Sequence, residues 1–188
     1  MIGIGGLARS GKNTLADSLK KIIKKELGIK VEVVSLAREL KKDLNYLTKK
    51  RFGISSFTEV TGEKEIIRPI LVAYGESMKH KYGDNIWLDK LIENKKPDVF
   101  YICADVRFDF EAKRIKDDFN GAIVHISRHG YEDPPNAYEA ENNPKVLEQA
   151  DVAYCWPTLG KNIKEADSHA SIIWQMIPDE LKQKWKTI

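Results

Sequence analysis

Near its start the chain reads Gly5-Gly-Leu-Ala-Arg-Ser-Gly-Lys-Asn-Thr14, and the spacing Gly6-x4-Gly11-Lys12 carries more chemistry than any other stretch. A loop of that spacing, set between a buried strand and a helix, aims successive backbone N–H groups at one point. The helix N-terminus adds positive potential and the lysine neutralises charge, so the fitting ligand is a run of phosphates. Glycine is needed where a Cβ would block the close approach or the backbone angle. On this reading Gly6, Ala8, Arg9, Ser10, Gly11, Lys12, Asn13 and Thr14 form the phosphate site of ATP. Arg9 reads equally as a solvent-facing charge.

Asn13 stands where a hydroxyl residue usually follows the lysine, and the hydroxyl comes one place later, at Thr14. That order is similar to the loop of adenylate kinase, Gly-Lys-Gly-Thr. It points away from switch GTPases and motor ATPases and toward small kinases of nucleotides and metabolites. A kinase acting on a hydroxyl usually needs a carboxylate to orient it. One acting on a phosphate meets a nucleophile that is already an anion, and needs a second cationic site to hold it in line. Arginine serves best, through paired contacts to phosphate oxygens.

Three arginines stand at informative places. Arg107 closes Asp105-Val-Arg107 at the carboxyl end of an apolar run, where α/β proteins face their ligand crevice. Asp105 is placed to meet Mg²⁺, directly or through water, with Thr14 as a second oxygen donor. Arg68 precedes Pro69, which suits the first position of a helix, so an anion would be welcome there. Arg128 follows a strand at the root of a long polar connection. The catalytic set expected is Lys12, Arg107 and Arg128; Arg68 and Arg128 also read as solvated charges.

The elements that must position these groups follow from apolar patterning. Met1 to Gly5, Val31 to Ser35, Val99 to Ala104, Ala122 to Ile126 and Val152 to Cys155 read as strands. Leu15, Leu19, Ile22, Ile23 and Leu27 recur at helical spacing, with Gly28 as terminator. Helices are also expected over Leu36 to Lys50, from Pro69 to Gly83, around Trp87 to Ile92, up to Phe119, and from Ile163 to Ile177. Arg51 to Gly62 reads as a loop. Arg128 to Asn143 is rich in Pro, Asn and Glu with little apolar periodicity, which suggests a lid that closes over ligands. Strands alternating with helices imply a five-stranded parallel sheet covered on both faces, a three-layer α/β fold. One domain over 1–188 is expected, with a helical acceptor-binding region at 36–95 and a lid at 128–145.

Taken in order, these segments resemble the phage-type deoxynucleoside monophosphate kinases, which share the P-loop kinase fold. The resemblance rests on Gly11-Lys-Asn-Thr14, on Arg68-Pro-Ile-Leu-Val-Ala-Tyr-Gly75 followed by Trp87, and on Asp105-Val-Arg-Phe-Asp-Phe-Glu111. It implies an ATP- and Mg²⁺-dependent phosphotransferase acting on a deoxynucleoside 5′-monophosphate. Lys12 would hold the donor phosphates, and Arg68 and Arg107 the acceptor monophosphate. Glu111 would orient an arginine or the sugar, and Trp87 would contact the acceptor, though its spacing also fits core packing. The lid, Pro134-Pro-Asn-Ala-Tyr-Glu139-Ala-Glu141, lacks the family's His-x-Ser-Glu element, and Trp156-Pro157 replaces an Asn-containing turn. The alternatives are a P-loop kinase for another small acceptor and a nucleotide-dependent switch without catalysis. No Asn-Lys-x-Asp guanine motif favours the switch.

Composition bounds the rest. The 188 residues are 42% hydrophobic and 31% charged with a net charge of +3, an ordinary globular balance that indicates no nucleic-acid groove. No apolar run approaches a membrane span. With no signal peptide expected, the setting is cytoplasmic, host cytoplasm if phage-encoded. Cys103 and Cys155 lie in apolar runs and read as reduced core residues. His125 and His129 fall on a strand and a loop, which argues against zinc. Trp174 and Trp185 read as packing for a terminal helix. Base preference and homodimerisation are left open.

Overall fold

The computed structural model describes residues 1–130, 133–134, 136–157 and 163–186. Their elements are β1 Ile2–Gly5, α1 Lys12–Leu27, β2 Lys30–Val34, α2 Leu36–Phe52, α3 Thr61–Tyr82, α4 Ile86–Glu93, β3 Val99–Cys103, α5 Asp109–Phe119, β4 Ala122–Arg128, α6 Ala137–Glu148, β5 Val152–Trp156, α7 Ile163–Met176 and α8 Asp179–Trp185. The chain divides into two compact units, Met1–Val34 with Lys96–Ile188, and Ser35–Lys95. The second nearly coincides with the helical region expected at 36–95. No helix is long and apolar enough to cross a membrane, among the described residues.

The first unit is a five-stranded sheet in the order β2-β3-β1-β4-β5, with every neighbouring pair parallel. Its three-layer form grows from the alternation Ile2-Gly-Ile-Gly5 in the central strand β1. Ile2 and Ile4 enter one apolar cluster with Leu15 and Leu19 of α1 and Ala170 and Ile173 of α7. Gly3 and Gly5 face the other way and let helices approach the sheet closely. A Cβ at Gly3 would lie 2.8 Å from Ile123 Cδ1 and 3.0 Å from Ile115 Cδ1; one at Gly5 would lie 2.6 Å from Val146 Cγ1. Ile115 belongs to α5 and Val146 to α6, so these two helices cover the glycine face. The chain therefore leaves β1 toward one face and the adjacent β3 toward the other, which opens a crevice at their carboxyl ends.

β3 is buried throughout, as its unbroken apolar run predicts. Cys103 lies within it, whereas Cys155 is exposed, against expectation. The reason is that β5 is an edge strand, whose successive side chains alternate between a covered and an open side. Trp174 and Trp185 are buried as expected, with the Trp185 ring 4.9 Å from Phe100.

The expected irregular connection from Arg128 to Asn143 is instead helical from Ala137 onward. The Asn136 side chain accepts the Glu139 N–H at 2.9 Å and caps α6. Pro144 sits inside this helix, where it removes a single backbone bond. Burial of Val146 in the next turn keeps the helix going. Tyr131, Glu132 and Pro135 of the expected lid lie outside the described residues.

The second unit comprises α2, α3 and α4. α3 begins at Thr61 rather than at Pro69, which lies within it. Proline disfavours a helix on its N-terminal side, yet buried Ile67 anchors that side and Pro69 itself faces solvent. Gly75 lets α2 close on α3, since a Cβ there would stand 2.8 Å from Leu40 Cδ1. Asp43 of α2 ties the three helices together, accepting from Tyr74 at 3.1 Å and pairing with Lys90.

Candidate functional site

The turn from β1 into α1 holds the Gly6-x4-Gly11-Lys12 stretch, the candidate phosphate cradle. Gly6 has φ +135°, and a Cβ there would meet the Ile126 carbonyl at 2.1 Å, so no other residue fits. Arg9 and Gly11 also take positive φ, 65° and 94°, which curls the loop; the Ser10 N–H closes it on the Leu7 carbonyl at 3.2 Å. Gly11 occupies the N-cap of α1 and has no side chain to satisfy the first turn. The N–H groups of Lys12, Asn13 and Thr14 thus point out of the helix end beside the cradle. Thr14 is exposed in that turn, and Ser10 is buried beneath the loop.

A support behind the loop comes from β5. The Trp156 indole N–H donates to the Ser10 carbonyl at 2.6 Å, and its ring lies against Gly11, 2.4 Å from where a Cβ would stand. Trp156 is 1% exposed, so the indole backs the loop without facing a ligand. Its sequence context, an apolar strand ending Trp-Pro, carries no sign of this role.

Lys12 is folded onto its own loop, donating to the carbonyls of Gly6 at 2.8 Å and Leu7 at 2.7 Å. Burial pulls its pKa down to about 8, and the like charge of Arg107 adds to this; Glu139 and Asp105 act in the opposite direction. Lys12, Asp105, Arg107 and Glu139 therefore share one electrostatic site. Gly6, Ala8, Lys12, Val106, Arg107 and Glu139 line a common cavity within the first unit. Arg107, expected at the carboxyl end of a strand, lines this cavity together with Lys12.

Glu111 acts one step back. It is buried, and its Oε2 accepts the N–H of Arg107 at 2.9 Å and of Phe108 at 3.2 Å at the start of α5. It orients Arg107 through the backbone. Burial pushes its carboxyl up to about 7, against the pull of those two N–H groups.

The residue that sequence reasoning does not single out is Glu139. Its Oε2 accepts the Ala8 N–H at 2.7 Å, and Oε1 lies 3.9 Å from Arg107 Nη1. Glu139, Asn142, Asn143 and Val146 all line the cavity, the spacing of one helical face. Asn136-x-x-Glu139 is a helix-start signature, and that face follows it.

The remaining expected residues are more dispersed. Arg128 ends β4, in register with Trp156, and is half-buried. Arg9 is exposed on the loop and Asn13 in the first turn of α1. In the second unit Arg68 lies on an exposed face well inside α3, not near a helix N-terminus, because α3 starts at Thr61. Trp87 is 6% exposed, tilted against Tyr74 with ring centres 6.0 Å apart, which is the core-packing alternative. Among the described residues no group of three or more His, Cys, Asp or Glu side chains gathers as a metal site.

No family model and no curated protein matches this sequence. The solved structures similar to it include two kinases. One is a dephospho-CoA kinase from Campylobacter jejuni, at 13% identity and a TM-score of 0.43, covering 94% of this chain and 96% of that one. The other is a gluconokinase from Sinorhizobium meliloti 1021, at 15% identity and a TM-score of 0.39, covering 97% and 95%. Values that low leave the function to the chemistry of the site.

Proposed function

We propose that this chain is a P-loop kinase that transfers the γ-phosphoryl group of ATP to a deoxynucleoside 5′-monophosphate. The observation that carries the reading is the cavity that Gly6, Ala8, Lys12 and Arg107 line together. The cradle and Lys12 would hold the donor phosphates. Arg107, its backbone fixed by Glu111, would hold an acceptor phosphate oxygen through its planar fork. No general base is required, because the acceptor phosphate is already ionised; catalysis then consists of positioning and charge stabilisation.

Mg²⁺ suits this donor set. The Thr14 hydroxyl and the Asp105 carboxylate are hard oxygen donors, and Asp105 acts electrostatically on Lys12. Magnesium typically takes one or two such protein ligands and fills its shell with water and substrate phosphates. When bound, it would be held by Thr14 and Asp105 and would neutralise phosphate charge. Arg68 and Trp87 as acceptor contacts, Arg128 as a catalytic cation and a cytoplasmic setting rest on the sequence reading alone.

The same cations would hold the phosphate of any small phosphorylated acceptor. The deciding experiment is a coupled ADP-release assay with ATP and Mg²⁺ across all deoxynucleoside and ribonucleoside monophosphates and a panel of phosphorylated metabolites. Stimulation by the deoxynucleotides supports the proposal. Stimulation only by another phosphorylated compound replaces the substrate class, and slow hydrolysis that no acceptor accelerates favours a switch.

A further inference from the structure

We propose that Glu139 is a built-in occupant of the phosphate cradle, whose carboxylate every phosphate ligand must displace before it can bind. This rests on the phosphate-loop reading above and adds a competitor to it. A carboxylate and a phosphate oxygen present the same acceptor to an N–H donor. Glu139 Oε2 already takes the Ala8 N–H at 2.7 Å, and Oε1 reaches toward Arg107 at 3.9 Å. One loop donor, the Ala8 N–H, and the acceptor-side arginine thus meet one carboxylate, at the place where a transferable phosphoryl group would lie between them. Two anions cannot share that place without repulsion in a partly desolvated site.

The position is fixed from behind. Asn136 accepts the Glu139 N–H at 2.9 Å and sets the first turn of α6. Tyr138 packs its edge on Phe108, with ring centres 5.4 Å apart at 89°, directly beside Arg107. Val146 is buried against Gly5, where a Cβ would come within 2.6 Å of it. The Glu139 side chain is itself only 15% exposed. A carboxylate held out of water by its own helix is costly unless paired, and the cradle supplies the pairing. A ligand therefore binds with its intrinsic affinity reduced by the fraction of molecules in which Glu139 has left the cradle.

The test is calorimetric titration of the full chain with a β,γ-imido analogue of ATP and Mg²⁺, comparing wild type, Glu139→Ala and Glu139→Gln. Glu139→Ala should bind roughly tenfold tighter or more. Glu139→Gln keeps an oxygen for the Ala8 N–H but loses the charge, so its gain should be smaller. Thermal melting without nucleotide shows which variants are folded, and either one suffices. Folded variants that bind no tighter than wild type, or more weakly, overturn the proposal; weaker binding would make Glu139 a ligand contact. Failure of the wild type itself to bind the analogue sinks the phosphate-loop reading instead, and this proposal with it.

Discussion

Replacing Gly11 by alanine tests how the phosphate loop is held. Gly11 has φ +94°, a conformation that costs an L side chain about 1–2 kcal/mol. The new methyl would also stand 2.4 Å from Trp156 Cζ2, well inside contact distance. Trp156 cannot swing aside easily, because it is buried and tied to the Ser10 carbonyl at 2.6 Å. Forcing a methylene-sized group into such packing adds about 1–3 kcal/mol. Gly11→Ala should therefore destabilise the protein by about 2–5 kcal/mol in urea unfolding and weaken binding of the ATP analogue. Trp156→Phe removes the indole N–H and trims the ring toward Gly11. Alone it should cost about 1–3 kcal/mol, since the Ser10 carbonyl loses its buried donor. In the double variant the steric part disappears and the φ part remains. The double-mutant cycle should then show about 1–3 kcal/mol of coupling in favour of the pair. Additivity within about 0.5 kcal/mol would mean that Trp156 does not back the loop.

Three further outcomes are expected. Binding of the ATP analogue near pH 8 should take up protons, because Lys12 starts at about 8 and phosphate charge raises it; calorimetry in buffers of different ionisation enthalpy reads this, and Lys12→Ala should abolish the uptake and lower turnover by ~10²-fold. Arg107→Lys keeps the charge but loses the fork, so it should raise the acceptor Michaelis constant while leaving nucleotide affinity intact; the opposite pattern would assign Arg107 to the donor. Glu111 is raised to about 7 in the fold, so its contribution to stability is full at low pH and lost as pH climbs through that value. Against Glu111→Gln, which still accepts the two N–H groups, wild type should lose up to about 3 kcal/mol between pH 4 and pH 8, and parallel profiles would refute the assignment.

Much of this was legible because it is local. The spacing from Gly6 to Lys12 encodes the curled turn between β1 and α1. The unbroken run from Val99 to Cys103 encodes a strand covered on both faces, and the step from Asp105 to Arg107 places a cation at its carboxyl end. Glycines in β1 leave one face of that strand without side chains, a pattern written in four residues. The fold overrides the helix start that Pro69 marked, and it carries a second proline inside α6. Local penalties at Pro69 and Pro144 are outweighed by burial of Ile67 and Val146, which belongs to packing rather than to propensity. Cys155 faces outward for a similar reason: only the strand order makes β5 an edge. The two residues that complete the loop, Glu139 in its mouth and Trp156 at its back, come from elements far away in sequence. Nothing in their own neighbourhoods names the partner. Parallel strand order brings the ends of β1, β3, β4 and β5 to one side of the sheet. The glycine at position 5 then lets α6 come close enough to set its carboxylate into the cradle.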